Sequence, residues 1–157
     1  MENKQIITDF YEAFAGHDAG AMTALYHNDI EFSDPAFGLL KGDDAKNMWR
    51  MLIARAKGDL LIEFTNVSAD DQKGSADWFA KYTFSRTKRP VINKIHAEFE
   101  FRDGLIYRHN DTFDFWIWSK QALGVPGILF GWTSFMQQKV QRTALASLKD
   151  FSQGSVK

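Results

Sequence analysis

The sequence predicts one α+β domain in which a curved, mostly antiparallel sheet wraps around N-terminal helices. Three observations carry this reading. Segments of helical period come first, and four long runs of alternating period follow them. The links between those runs are turn-like, as antiparallel neighbours require. The strand-helix alternation of a doubly wound parallel sheet is missing.

The elements follow in order. Ile7, Phe10, Tyr11 and Phe14 recur at helical spacing, which predicts a helix over about 4–15, ended by Gly16. Asp18 can cap a shorter helix carrying Met22, Leu25 and Tyr26 on one face. The period then changes. Ile30, Phe32 and Asp34 alternate with Glu31 and Ser33 as in a strand, and Pro35 keeps Asp34 extended. A short strand over 37–41 precedes a third helix, opened by Gly42-Asp43-Asp44, with Met48, Trp49, Leu52, Ile53 and Ala56 inward. The four long runs cover about 60–69, 75–86, 91–102 and 105–116. After a break at Gly124-Val125-Pro126-Gly127, apolar residues from Phe130 to Phe151 return every three or four positions and predict a long C-terminal helix. The whole chain, 1–157, reads as one domain with a core over about 4–116 and a helical extension over about 117–152.

Composition narrows the function classes. Hydrophobic residues make up 45%, aromatic residues 15% and charged residues 25%, the values of a globular chain. A net charge of −1 offers no bulk field for nucleic acid or an anionic membrane, so neither is expected as a partner. No apolar run reaches the roughly 18 residues of a membrane span. Cysteine is absent, which excludes disulfides, thiolate nucleophiles and cysteine-based zinc sites. With no basic-then-apolar leader at the start, a cytoplasmic location is the expectation.

Strand parity selects the candidate site. In the last run Leu105, Tyr107, His109, Asp111, Phe113 and Phe115 share one face, while Arg108, Asn110, Thr112 and Asp114 take the other. Trp78, Ala80, Tyr82 and Phe84 form one inward row, and Ala97, Phe99 and Phe101 another. Three ionisable groups, Asp34, His109 and Asp111, therefore fall on apolar faces. Two carboxylates in one apolar cavity tend to divide into an ionised and a protonated member, a pair able to serve as base and acid. His109 can orient Asp111 or shuttle a proton. Tyr26, Trp49, Trp78, Tyr82, Phe99, Tyr107 and Phe113 are the candidate lining of a pocket for a small hydrophobic molecule. Structural alternatives stand beside this: Asp34 fits a turn opener before Pro35, and Asp111 fits a partner of His109 or Arg108. His109 and Asp111 would supply two metal ligands, but no third stands at a useful spacing, so no metal is expected. Arg86-Thr87-Lys88-Arg89 reads as a solvated hairpin turn.

Phe10-Tyr11-Glu12-Ala13-Phe14, Ala24-Leu25-Tyr26, Ile30-Glu31-Phe32-Ser33-Asp34-Pro35, Gly42 and Phe99-Glu100-Phe101-Arg102-Asp103-Gly104 followed by Leu105-Ile106 carry a resemblance. Over about 6–116 the chain resembles the nuclear transport factor 2-like superfamily, in its SnoaL-like polyketide cyclase and ketosteroid isomerase branch. The resemblance implies a cone-shaped, cystatin-like mixed sheet and a homodimer. It implies no cofactor. Asp34 falls where the isomerases keep their general base. Ala97 stands where they keep a protonated aspartate, and Tyr11, near their tyrosine donor, is out of phase. Asp111 resembles the late-strand acid-base aspartate of the cyclases. Because this superfamily hosts many functions, three readings stay open. One is a cofactor-independent isomerase, cyclase, hydrolase or lyase acting on a small hydrophobic substrate. The others are a non-catalytic hydrophobe carrier and a dimerisation module.

Overall fold

The computed structural model describes residues 2–154. Three helices and two strands open the chain: α1 (Asn3–Ala15), α2 (Ala19–Ala24), β1 (Tyr26–Asp34), β2 (Gly38–Lys41) and α3 (Asp43–Ala56). Four long strands follow: β3 (Leu60–Ala69), β4 (Lys73–Phe84), β5 (Arg89–Arg102) and β6 (Leu105–Thr112). Helices α4 (Phe115–Leu123), α5 (Val125–Phe130) and α6 (Ser134–Gly154) complete it. The six strands form one curved, unclosed sheet in the order β2-β1-β6-β5-β4-β3. Only the β1–β6 pairing is parallel; the others are antiparallel.

The helical period predicted for α1 buries Ile6, Ile7, Phe10, Tyr11 and Phe14 on one face, against the inner side of the sheet. Met48 and Trp49 of α3 enter the same core with Ile30 and Phe32 of β1. Apolar burial on this scale supplies the main driving force for folding. The β5–β6 hairpin turns at Asp103 and Gly104, both at positive φ (56° and 74°). This is the two-residue Asp-Gly turn whose twist matches the flanking strands, and glycine takes such a φ without strain. The outer face of the sheet is charged, with Arg108 bridging Glu31 at 3.2 Å and Glu100 at 3.3 Å.

The structure departs from the sequence expectations in four places. Tyr26 opens β1 rather than closing α2. Leu52 is exposed at the rim of α3, and Met51 is buried in its place. The last strand stops at Thr112 because Asp114 caps α4, its carboxylate accepting from the Ile117 N–H at 3.1 Å. Finally, a β-bulge opposite Glu100 and Phe101 shifts the phase of β6. Ile106 pairs with Phe101, Arg108 pairs with Glu100, and Tyr107 is the extra residue between them. Ile106 is consequently buried, whereas Tyr107 turns outward under Arg102, whose guanidinium lies 3.7 Å from its ring centre. Tyr107 is thus not a pocket residue.

Candidate active site

Beyond the bulge the parity of β6 is restored, and it carries His109 and Asp111 inward, 1% and 3% exposed. They sit in a continuous chain of hydrogen bonds. Trp49 Nε1–H donates to the Tyr26 hydroxyl at 2.8 Å. That hydroxyl meets His109 Nδ1 at 2.7 Å, and His109 Nε2 meets Asp111 Oδ1 at 2.8 Å. Trp78 Nε1–H reaches the same carboxylate oxygen at 3.4 Å. Donor accounting fixes the direction of the chain. Burial pushes the Tyr26 hydroxyl well above its usual range, although the Trp49 hydrogen bond opposes this. It therefore keeps its proton and donates to Nδ1. His109 then carries its ring proton on Nε2 and donates to Asp111, leaving every member satisfied.

Aromatic packing holds the imidazole in place. Phe99 lies 4.4 Å from the His109 ring centre, and Trp49 stacks on it at 5.9 Å. Tyr26 thus belongs to the core behind the site, and neither it nor Phe99 lines the cavity that holds Asp34 and Asp111. Tyr11 is buried there too, and its hydroxyl is without a hydrogen-bond partner. Its neighbours are Phe64 and Trp78 at 5.5 and 5.9 Å, so it lies beside the acids without bonding to one.

Inside the cone is a cavity of about 540 Å³. Trp49, Trp78, Tyr82 and Phe113 line it, as does Asp111, whose second carboxylate oxygen has no hydrogen-bond partner among the described residues. Tyr82 is held by Trp118 Nε1–H, which donates to its hydroxyl at 2.8 Å. Asp34 lines the same cavity from the end of β1. Its Oδ1 accepts from the Ala36 and Phe37 backbone N–H groups at 2.9 and 2.6 Å, so it is also a turn residue. Burial raises its pKa to about 7, the two turn N–H groups opposing and the Asp111 charge reinforcing the shift. The two roles of Asp34 are compatible, because one oxygen braces the Pro35 corner and the other is left for the cavity. Helix α6 clamps that corner from outside: Gln137 and Gln141 side chains donate to the Pro35 carbonyl at 3.2 and 3.1 Å.

Asn93 of β5 and Trp118 of α4 also line the cavity and are absent from the sequence-based set. Asn93 shares parity with Ala97 and Phe99, so extending that row by two steps would have found it. Trp118 could not be found that way, because its stretch of chain reads like a strand end until Asp114 caps a helix. Among the described residues no cluster of His, Cys, Asp and Glu could hold a metal ion.

Residues 7–109 match the SnoaL-like domain family. The chain belongs to this family. No match to a curated protein was found. Solved structures with the same SnoaL-like architecture include a candidate polyketide cyclase from Pseudomonas putida. It is 16% identical, with 78% of this chain and 98% of that one covered at a TM-score of 0.62. A protein with a ketosteroid isomerase-like fold from Catenulispora acidiphila, in complex with trimethylamine, is 17% identical, covering 82% and 97% at 0.63. A nuclear transport factor 2-like protein of unknown function from Burkholderia pseudomallei is 18% identical, covering 73% and 92% at 0.59. At these identities the likeness establishes the fold alone. The SnoaL-like match ends at His109, so Asp111 and α4–α6 lie beyond it.

Proposed function

We propose that this SnoaL-like chain is a cofactor-independent acid-base enzyme acting on a small hydrophobic carbonyl compound. The observation that carries the reading is the placement of two carboxylates with different surroundings in one largely apolar cavity. Asp111 is the base. Its Oδ1 accepts N–H bonds from His109 and Trp78, which stabilise the carboxylate, while its other oxygen is left to take a proton from carbon next to a carbonyl. Asp34 is the acid. With its pKa raised to about 7, it holds a proton over the neutral range's lower half and can donate it to the developing enolate oxygen. Asp111 then returns the first proton to a different carbon while Asp34 takes back the enol O–H proton as the carbonyl reforms; this gives an isomer, and both carboxyl groups recover their starting states. Tyr26 and His109 do not touch substrate in this scheme; with Trp49, which also lines the cavity, they aim Asp111.

The test is exchange of solvent deuterium into small hydrophobic ketones, followed by NMR. Asp111→Asn is expected to lower the exchange rate by roughly 10²–10⁴, the usual contribution of a positioned base. Full exchange activity in both Asp111→Asn and Asp34→Asn ends the reading. A second reading, carriage of a hydrophobe, is favoured by the aromatic character of the walls, with Trp49, Trp78, Phe113 and Trp118 among them. Native mass spectrometry separates the two: an apolar molecule that co-purifies unchanged, with no exchange into any ketone, supports carriage.

A further inference from the structure

The C-terminal helices leave an apolar shoulder in solvent. Val125, Ile128, Leu129, Phe130, Trp132 and Phe135 are all exposed, Trp132 at 72% and Phe135 at 67%. The inner sides of the same helices are already packed. Trp118, Ser119 and Ala122 of α4 are buried, and Gly127 of α5 lies directly on the Ser119 carbonyl. Trp116 Nε1–H donates to the Ile128 carbonyl at 3.2 Å, tying α4 to α5. The shoulder is therefore preformed, and its outward side chains are not needed to complete the core. Six large apolar side chains exposed within eleven positions of a folded chain mark an interaction site.

Charge identifies the occupant. Between Asp114 and Asp150 the sequence holds no acidic residue, but it holds Lys120, Lys139, Arg142 and Lys149. The β4–β5 hairpin adds Arg86, Lys88 and Arg89, and hydrogen bonds moor it to α4. Arg89 Nε donates to the Gln121 carbonyl at 2.7 Å, and the Thr87 hydroxyl donates to the Ala122 carbonyl at 2.5 Å. Seven cations thus accompany the shoulder, against Asp114 at the N-cap of α4 and Asp150 on α6, in a chain whose net charge is −1. The near-neutral total had argued against an anionic membrane only because it averages over this segregation. Tryptophan and phenylalanine beside lysine and arginine is the composition of a segment that lies in a membrane interface. A second copy of the chain fits less well, since a two-fold contact sets each cation-bearing patch against its own image. No described helix is long and apolar enough to cross a bilayer.

We propose that the α4–α5 shoulder and the start of α6 dock this chain peripherally on an anionic lipid bilayer. Leu123, Pro126, Met136 and Lys139 of the same segment line the cavity, as does Arg86 of the hairpin. Docking would set the rim of the cavity on the bilayer and give an apolar ligand a path into it. The proposal stands whether that ligand is turned over or only carried.

Vesicle flotation of the full chain tests it, with phosphatidylcholine alone or with about one-third phosphatidylglycerol as the anionic component. The chain is expected to float with the anionic vesicles, to be released by added salt, and to have its tryptophan emission quenched by brominated acyl chains. Trp132→Ser/Phe135→Ser alters two solvent-facing side chains and should keep a native circular dichroism spectrum. It is expected to bind about tenfold more weakly or worse, through lost apolar contact. Arg86→Gln/Lys88→Gln is expected to weaken binding roughly fivefold per cation removed. Failure of the wild-type chain to float with anionic vesicles overturns the proposal. So does undiminished binding by Trp132→Ser/Phe135→Ser. A sedimentation dimer that this double variant dissociates, without vesicle binding, would make the shoulder a chain-to-chain contact instead.

Discussion

Tyr26 links the two halves of the polar chain in the core. It accepts from Trp49 and donates to His109, and water cannot replace it, since it is 2% exposed. Tyr26→Phe therefore leaves a buried indole N–H and a buried imidazole nitrogen unpaired, at a cost of about 2 kcal/mol or more. Urea denaturation should show the loss as a lower midpoint with an unchanged slope. Asp34 makes a different residue-level prediction. Where it supplies a proton, the exchange rate should fall as pH rises through about 7, the value to which burial lifts it. Asp34→Asn should flatten that limb of the pH-rate profile. A limb unchanged in the variant would remove Asp34 from the acid role. At this scale the sequence was readable wherever strand parity held. Asp34, His109 and Asp111 all fall on the inner side, as alternation says, because the side-chain period of a strand is two. Tyr107 obeys the same parity on paper and yet faces out. A bulge adds one residue without adding a pair, and one residue is enough to turn a side chain over.

Among the elements, the α4–α5 pair shows how close approach is written into the sequence without being legible there. Gly127 and Gly131 look like breakers near Pro126, and the expectation was a simple interruption before one long helix. Pro126 instead sits in the first turn of α5, where its missing N–H costs nothing, and both glycines face Ser119. A Cβ at Gly127 would overlap the Ser119 carbonyl oxygen. Gly127→Ala is therefore expected to force the helices apart and to lower stability by about 1–3 kcal/mol. Thermal unfolding measures this, and loss of Trp118 packing on Tyr82 should accompany it in the near-ultraviolet circular dichroism. A variant as stable as the parent would show that α5 can shift without penalty. Helices α1 and α3 needed no such knowledge. Their apolar stripes face the six-stranded sheet, so local period and tertiary packing agree except at Leu52, which is exposed where Met51 is buried.

For the whole molecule, the helices plug one end of a cone of strands and leave the other end hollow. The hollow imposes a signature on stability. Asp34 has its pKa raised from 3.8 to about 7 in the fold, so between those values the folded state binds more protons than the unfolded state. Stability contributed by the protonated acid is full below about 4 and falls as pH rises, until the loss is complete above about 7. Asp34→Asn should remove that slope. Denaturant midpoints of parent and variant, compared from pH 4 to 8, check it; parallel curves would contradict it.

By itself the sequence determined the fold class, the order of strands and helices through β6, and the inward placement of Asp34 and Asp111, because each rests on periodicity or on a local turn signal. Only the tertiary structure decided that Tyr26 joins Trp49 to His109, where the parity of β6 breaks, and that α4 starts at Phe115 behind the Asp114 cap. Those outcomes depend on groups distant in the chain. Tyr26 reaches across 83 positions to His109, and the hairpin at Thr87 reaches 35 to Ala122. No local pattern encodes such meetings, since they are settled by which surfaces the curved sheet brings together.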